Sequence, residues 1–151
     1  PRAALRAALT GAAGGAGREE ESLSDLTRAL ELAPDLSFAL AWRGEALRKL
    51  GRNEDALEDL NKALRKDPGS RWAWAWKGRT FEAMGNLSEA LRCFNRSLQN
   101  CQEYRFAPIY VYQGAIYWKM GSSEKALENI QAALALDGKC EEALRDRKSV
   151  V

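Results

Sequence analysis

The sequence repeats itself at intervals of 34 and then 36 residues. A glycine inside an apolar stretch recurs at Gly44, Gly78 and Gly114, and several other residue types recur with the same two steps. Periods of this size are typical of stacked repeat proteins, in which each unit buries its apolar face only against its neighbours. The repeat therefore constrains the fold more strongly than any other feature of the chain.

Each repeat is predicted to be a helix, a short turn and an antiparallel helix. A glycine in a helix interior costs about 1 kcal/mol relative to alanine, so the three recurring glycines imply that another backbone passes close by. A second glycine series falls where the first helix would end and predicts left-handed C-caps: Gly51, Gly85 and Gly121. Residue types that favour helix N-caps follow directly: Asn53, Asn86 and Ser123.

The pattern resembles the tetratricopeptide repeat, which places large residues around a glycine on its first helix and alanines around a large residue on its second. Residues 37–70, 71–104 and 107–140 each match this pattern, and residues 19–36 match the second half of an earlier unit. The resemblance implies an all-α fold: a right-handed superhelix (α-solenoid) of antiparallel helix pairs, with about three full units, a half unit and a C-terminal helix.

The two ends of the chain depart from the repeat. Residues 1–18 are rich in Ala and Gly, which predicts a frayed or flexible lead-in, because several helical glycines cost about 1 kcal/mol each. Residues 19–151 are expected to form the repeat domain. Within them, residues 141–149 are interpreted as a short helix that caps the stack, with the start of a further unit as the alternative.

The composition offers little catalytic or metal chemistry. The chain contains no His, which removes the commonest general base and the commonest metal ligand, and no phosphate-binding loop or nucleophile motif is found. We therefore expect no enzyme, no cofactor and no metal site. A net charge of +2 makes nucleic acid an unfavoured partner, with single-stranded RNA stacked on tryptophans as the remaining alternative of that class.

Three cysteines, an odd number without close spacing, are interpreted as reduced thiols of a cytoplasmic protein, with the nucleus as the alternative compartment. The most apolar segment, residues 109–120, is well short of the ~20 residues that cross a bilayer, and no membrane partner is expected.

The resemblance also assigns a concave groove to the first helix of each unit. Its inward positions hold many aromatic and charged side chains: Phe38, Trp42, Glu45, Lys49, Trp72, Trp76, Arg79, Tyr112, Trp118 and Lys119. Trp42, Trp72 and Trp76 are surplus to the residues that the repeat needs for its core. We expect them to face the groove, with burial against neighbouring helices as the alternative, because surface tryptophans are typical anchors in protein interfaces.

One family subtype is excluded by its motif. The clamp that holds the acidic C-terminal tails of heat-shock chaperones needs Lys, Asn and Arg at fixed slots, and these slots hold Ala41, Glu45, Trp76, Pro108 and Tyr112. The expected function is a protein-interaction scaffold that binds a partner peptide or helix through apolar anchors. The alternative is structural: self-association, or a seam within a larger repeat protein.

Overall fold

The computed structural model describes residues 16–99 and 107–136, and in these ranges the chain is all-α, as predicted. The described residues form seven helices: α1 (Ala16–Leu32), α2 (Ser37–Lys49), α3 (Asn53–Lys66), α4 (Arg71–Ala83), α5 (Leu87–Gln99), α6 (Ala107–Lys119) and α7 (Ser123–Leu136).

The helices pack in the pairs that the repeat predicts. The most extensive contacts join α2 to α3, α4 to α5 and α6 to α7, and each pair falls within one predicted unit. Helix α1 packs on α2 as the predicted half unit and begins at Ala16, inside the stretch predicted as lead-in. Residues 1–15 and the predicted cap at 141–149 lie outside the described residues.

At Gly44 and Gly78 the glycine is required mainly by a side chain, which corrects the expectation of a second backbone there, whereas at Gly114 a backbone atom is nearest, as expected: an added Cβ would stand 3.3 Å from Ala126 O. A Cβ atom at Gly44 would stand 2.7 Å from Cγ of Leu60, and one at Gly78 would stand 2.6 Å from Cε1 of Phe94. Both neighbours are fully buried and belong to the second helix of the same unit. A backbone oxygen also lies close at Gly44, where Ala56 O would be 3.2 Å away.

The predicted left-handed C-caps are present. Gly51 has a φ of +81°; its N–H donates to Arg48 O (2.9 Å), and the N–H of Arg52 donates to Leu47 O (2.8 Å), which together form a Schellman motif. The same pair of hydrogen bonds ends α4 and α6. Their glycines also have positive φ values of 82°: Gly85 and Gly121. Each first helix therefore stops at a fixed point before the chain turns back.

The N-cap predictions hold at one position of three. Asn86 precedes α5 and its Oδ1 accepts from the backbone N–H of Glu89 (3.4 Å), whereas Asn53 and Ser123 are the first residues within their helices. Ser70, which was not predicted, caps α4 by accepting from the N–H of the third helical residue (3.2 Å). The residue types that favour an N-cap also occur at the first position within a helix. The residue type alone therefore placed Asn53 and Ser123 one position too early in the helix.

A buried ion pair joins α2 to α3. Arg43 donates to Asp59 through Nε (2.6 Å) and Nη2 (2.8 Å), and the Asp59 side chain is 5% exposed. The hydrogen bond from Arg43 to Asp59 raises the pKa of the guanidinium, although burial acts in the opposite direction. The pair is bidentate, which fixes the rotation of one helix against the other.

Candidate functional site

The first helices of the three units, α2, α4 and α6, form a continuous row that we call the first-helix row. Helix α2 contacts α4, and α4 contacts α6, while the second helices α3 and α5 each pack onto the first helix of the next unit. Side chains at one repeat position are therefore brought side by side on successive helices. This row carries the groove residues that the sequence predicts.

Four aromatic side chains of α2 and α4 form one cluster, the aromatic cluster, whose members are Phe38, Trp42, Trp72 and Trp76. The ring centroids of Trp42 and Trp76 lie 4.6 Å apart, and those of Trp72 and Trp76 lie 5.2 Å apart. Trp42 also contacts Phe38 (6.1 Å) and Trp72 (6.4 Å). Because α2 and α4 belong to successive units, the cluster spans the junction between them.

The members of the aromatic cluster differ in exposure, which corrects one expectation. Phe38 is 47% exposed and Trp72 is 38% exposed, so both present ring surface to solvent. Trp42 is half-buried, and Trp76 is only 5% exposed, among Leu26, Leu40 and other core residues. Trp76 therefore supports the exposed rings from beneath, and the exposure expected for it is wrong.

An ion pair lies on α2 beside the aromatic cluster. Arg48 donates to Glu45 through Nη2 (2.7 Å) and Nε (3.0 Å), and both side chains are largely buried. Burial of the Arg48 guanidinium acts to lower its pKa, but the hydrogen bond and charge of Glu45, with smaller effects from Tyr112 and Glu82, raise it above its ordinary value. Arg48 is thus held as a paired cation.

A second ion pair joins two units, and one of its members was missed from the sequence. Lys119 of α6 donates to Oε1 of Glu82 in α4 (2.8 Å), and the side chain of Glu82 is 11% exposed. Oε2 of Glu82 is buried without a hydrogen-bond partner among the described residues. Glu82 occupies the same repeat position as Trp118, which lies 36 residues later and was predicted to line the groove, so the repeat period itself was a signal that could have identified it.

Arg79 and Tyr112 form a stacked pair between α4 and α6. The guanidinium carbon of Arg79 lies 4.4 Å from the ring centroid of Tyr112, and both side chains are half-buried. Such stacking holds the guanidinium plane against the ring while its edge keeps its donors. The pair continues the first-helix row from the aromatic cluster towards the third unit.

The two remaining predicted groove residues lie towards the ends of the row. Lys49 is in the last turn of α2, and its Nζ lies 3.5 Å from Oε1 of the buried Glu19 in α1. Trp118, near the end of α6, is 47% exposed and occupies in the third unit the repeat position that Arg48 and Glu82 occupy in the first and second. The ring contacts described above join the four members of the aromatic cluster, and Trp118 is not one of them.

Across residues 16–99 and 107–136, no three metal-ligating side chains come together. In the part of the chain that the structure describes, no helix combines the length and the apolar character needed to traverse a bilayer.

Comparison with known proteins gives one family. Models described as the tetratricopeptide repeat match residues 8–71, 43–108 and 107–140. A search of curated proteins gives no match.

Several solved structures share the fold. TTC0263, a thermophilic TPR protein of Thermus thermophilus, is 25% identical with a TM-score of 0.85, over 96% of this chain and 79% of that one. YrrB, described as a TPR protein with an unusual peptide-binding site, is 24% identical with a TM-score of 0.71, over 86% and 66%. The first TPR of Spaghetti (RPAP3), bound to the HSP90 peptide SRMEEVD, is 18% identical with a TM-score of 0.67, over 76% and 89%.

Proposed function

This chain belongs to the tetratricopeptide repeat family, and on that premise we propose that it is a protein-interaction scaffold that captures a partner peptide or helix on the aromatic cluster. The observation that carries the proposal is the exposure of Phe38 and Trp72. These two rings occupy the same repeat position on adjacent units, and both are joined to Trp42 by ring contacts. Aromatic side chains that are held rigidly at a surface lose little entropy on binding and are the usual anchors of interfaces.

The support beneath these rings favours binding over an incidental surface patch. Trp76 is buried and contacts Trp72 directly, and it also contacts Trp42, which in turn contacts Phe38, so both exposed rings pack on other rings of the cluster. A preorganised aromatic surface does not have to be ordered when the partner arrives, and this lowers the cost of association. The function requires no catalysis, so we propose a binding module rather than an enzyme.

The partner is proposed to differ from the acidic chaperone tails that some relatives bind. RPAP3 provides an example of a repeat that was solved with an HSP90 peptide. At the corresponding slots this chain has Glu45, which is paired with Arg48, and Trp76, which is buried. A terminal carboxylate would meet an acidic and an aromatic side chain there. We therefore propose a partner held by apolar anchors, in the cytoplasm or nucleus.

Selection of random peptides displayed on phage tests this proposal. Wild type should enrich peptides with aromatic or aliphatic residues, and Trp72→Ala should lose about thirtyfold or more in affinity for the enriched peptides, because truncation of an interface tryptophan typically costs about 2 kcal/mol or more. Trp118→Ala is the matched control, since Trp118 is similarly exposed but outside the aromatic cluster. Equal loss in both variants, or no enrichment by wild type, would refute the proposal.

Self-association is the alternative use of the same surface. Sedimentation velocity over a concentration series distinguishes the two. A dimer that forms in wild type and is abolished by Trp72→Ala would assign the aromatic cluster to a seam between copies of the chain, whereas a monomer at all concentrations supports a separate partner.

A further inference from the structure

The cations of the first-helix row differ in whether they already have a carboxylate. Arg48 is paired with Glu45 at 2.7 Å, Lys49 with Glu19 at 3.5 Å and Lys119 with Glu82 at 2.8 Å.

Arg79 differs from these three cations, as does Lys77, whose Nζ lies 5.2 Å from the centroid of the Trp74 ring. The Arg79 side chain stacks on Tyr112, and no carboxylate among the described residues lies within ion-pair distance of it. The stack leaves the hydrogen-bond donors at the edge of the guanidinium available.

Arg79 also lies at a defined place relative to the aromatic cluster. It is seven residues after Trp72 on α4, which is close to two helical turns, so the two side chains project from the same face about 10 Å apart along the axis. A bound segment that covers Trp72 and continues along α4 therefore passes over Arg79.

From this arrangement we infer that the partner segment carries a carboxylate about 10 Å from its apolar anchor, and that Arg79 binds this carboxylate while Phe38 and Trp72 hold the anchor. The inference rests on the proposed function and specifies the chemistry of the partner. A guanidinium binds a carboxylate through two parallel hydrogen bonds.

A carboxylate fits the charge of the site better than a phosphate does. A phosphate carries nearly two negative charges and is usually met by several cations, whereas the neighbouring Arg48 and Lys119 are already neutralised by Glu45 and Glu82. One half-buried guanidinium matches one monoanion.

The distance also limits the spacing in the partner sequence. In a polyproline-type extended segment, residues three apart lie on one side at about 9 Å, and in an α-helix residues seven apart lie on one side at about 10 Å. The anchor and the acidic residue are therefore expected at one of these two spacings, and the recovered spacing reports the conformation of the bound segment.

Random peptides displayed on phage again provide the probe, now selected on wild type, Arg79→Glu and Arg79→Gln. Wild type should enrich Asp or Glu at a fixed spacing from an apolar residue. Arg79→Glu should enrich Lys or Arg at that position, and Arg79→Gln should lose the charge preference and keep the apolar one. A peptide that was selected on the wild-type protein should bind that protein about tenfold more weakly when its Glu is replaced by Gln. A loss of this size is typical of removing one desolvated charge pair.

Arg65→Glu is the matched control, because Arg65 is an exposed cation on the second helix α3. It should enrich the same peptides as wild type. Thermal melting of each variant checks the fold, and Arg79→Gln keeps the test decisive if charge reversal prevents folding.

The outcomes separate the inference from the proposed function. Peptides that require Trp72 but show no acidic preference, or an acidic preference unchanged in both Arg79 variants, would overturn the inference and leave the proposed function standing. Absence of any enrichment on wild type would refute the proposed function itself.

Discussion

Gly78 of α4 lies so close to the ring of Phe94 in α5 that a Cβ atom at position 78 would stand 2.6 Å from Cε1. Phe94 is fully buried and has no room to withdraw. The absence of a side chain at position 78 is therefore what allows the two helices of the middle unit to pair.

Replacing this glycine should destabilise the whole stack. Gly78→Leu is expected to cost about 1–3 kcal/mol or more through overpacking, and the melting temperature of the whole stack should fall because neighbouring units stabilise one another. The matched control is Gly17→Leu on α1, where an added Cβ would meet no atom of the described residues within 4 Å. Circular dichroism during heating measures both. Equal melting temperatures for the two variants would contradict the close-packing argument.

Truncation of two neighbouring tryptophans should have opposite consequences. Trp76→Ala removes a buried ring from the core and should destabilise the fold by about 3–5 kcal/mol, since Trp76 is 5% exposed and packed in the cluster that contains Leu40. Trp72→Ala should cost much less stability and act mainly on binding. Urea denaturation of the two variants measures the difference, and a more severe effect at Trp72 would show that the exposures are reversed.

The buried ion pair between Arg43 and Asp59 should contribute more to stability than the exposed pair between Arg52 and Asp55. Asp59→Asn removes the charged partner of Arg43 and should destabilise by about 1–3 kcal/mol, because the guanidinium stays mostly buried without its counter-charge. Asp55→Asn breaks the exposed pair with Arg52 and should change stability by less than about 0.5 kcal/mol. Denaturant midpoints at constant m-value compare them. If the two changes cost the same, the Arg43–Asp59 pair does not fix α2 against α3.

Cys93 should make stability fall at alkaline pH. Burial raises the pKa of its thiol from 9.0 to about 11, so the folded state holds the proton where the unfolded state has released it. The contribution is complete below pH 9 and is lost progressively as the pH rises through 9 towards 11. The difference in melting temperature between wild type and Cys93→Ala should therefore shrink over this interval. A constant difference would show that the thiol is not protected.

Much of the fold follows from the repeat, and the remaining details depend on neighbours that a repeat position does not specify. The period located the paired helices, and glycine at a helix end predicted the positive φ of Gly51. Trp42 and Trp76 share one repeat position, yet only Trp76 is buried, because Trp42 and Trp72 both lie against its ring. Position within a unit gives the direction of a side chain, whereas its burial depends on which residues the adjacent unit contributes.

The ion pair of Glu82 likewise depends on a residue from the adjacent unit, which its position along its own helix does not reveal. Sequence composition makes most carboxylates candidates for exposed i,i+4 pairs. Glu82 instead meets Lys119, which is 37 residues later, because α4 and α6 are neighbours in the first-helix row. Alignment of equivalent positions across units, rather than along one helix, is what would reveal such a pair.

The aromatic cluster also gives the molecule an intrinsic spectroscopic probe of how two units are arranged. Trp42 belongs to one unit, and Trp72 and Trp76 belong to the next, with centroids 4.6 Å to 6.4 Å apart across that junction. Indole transitions this close exchange excitation, and the sign and strength of the exchange depend on the angle between the rings. Any change in the winding of one unit against the next alters that angle. The near-ultraviolet dichroism of the unlabelled chain should therefore change when the angle between these two units changes.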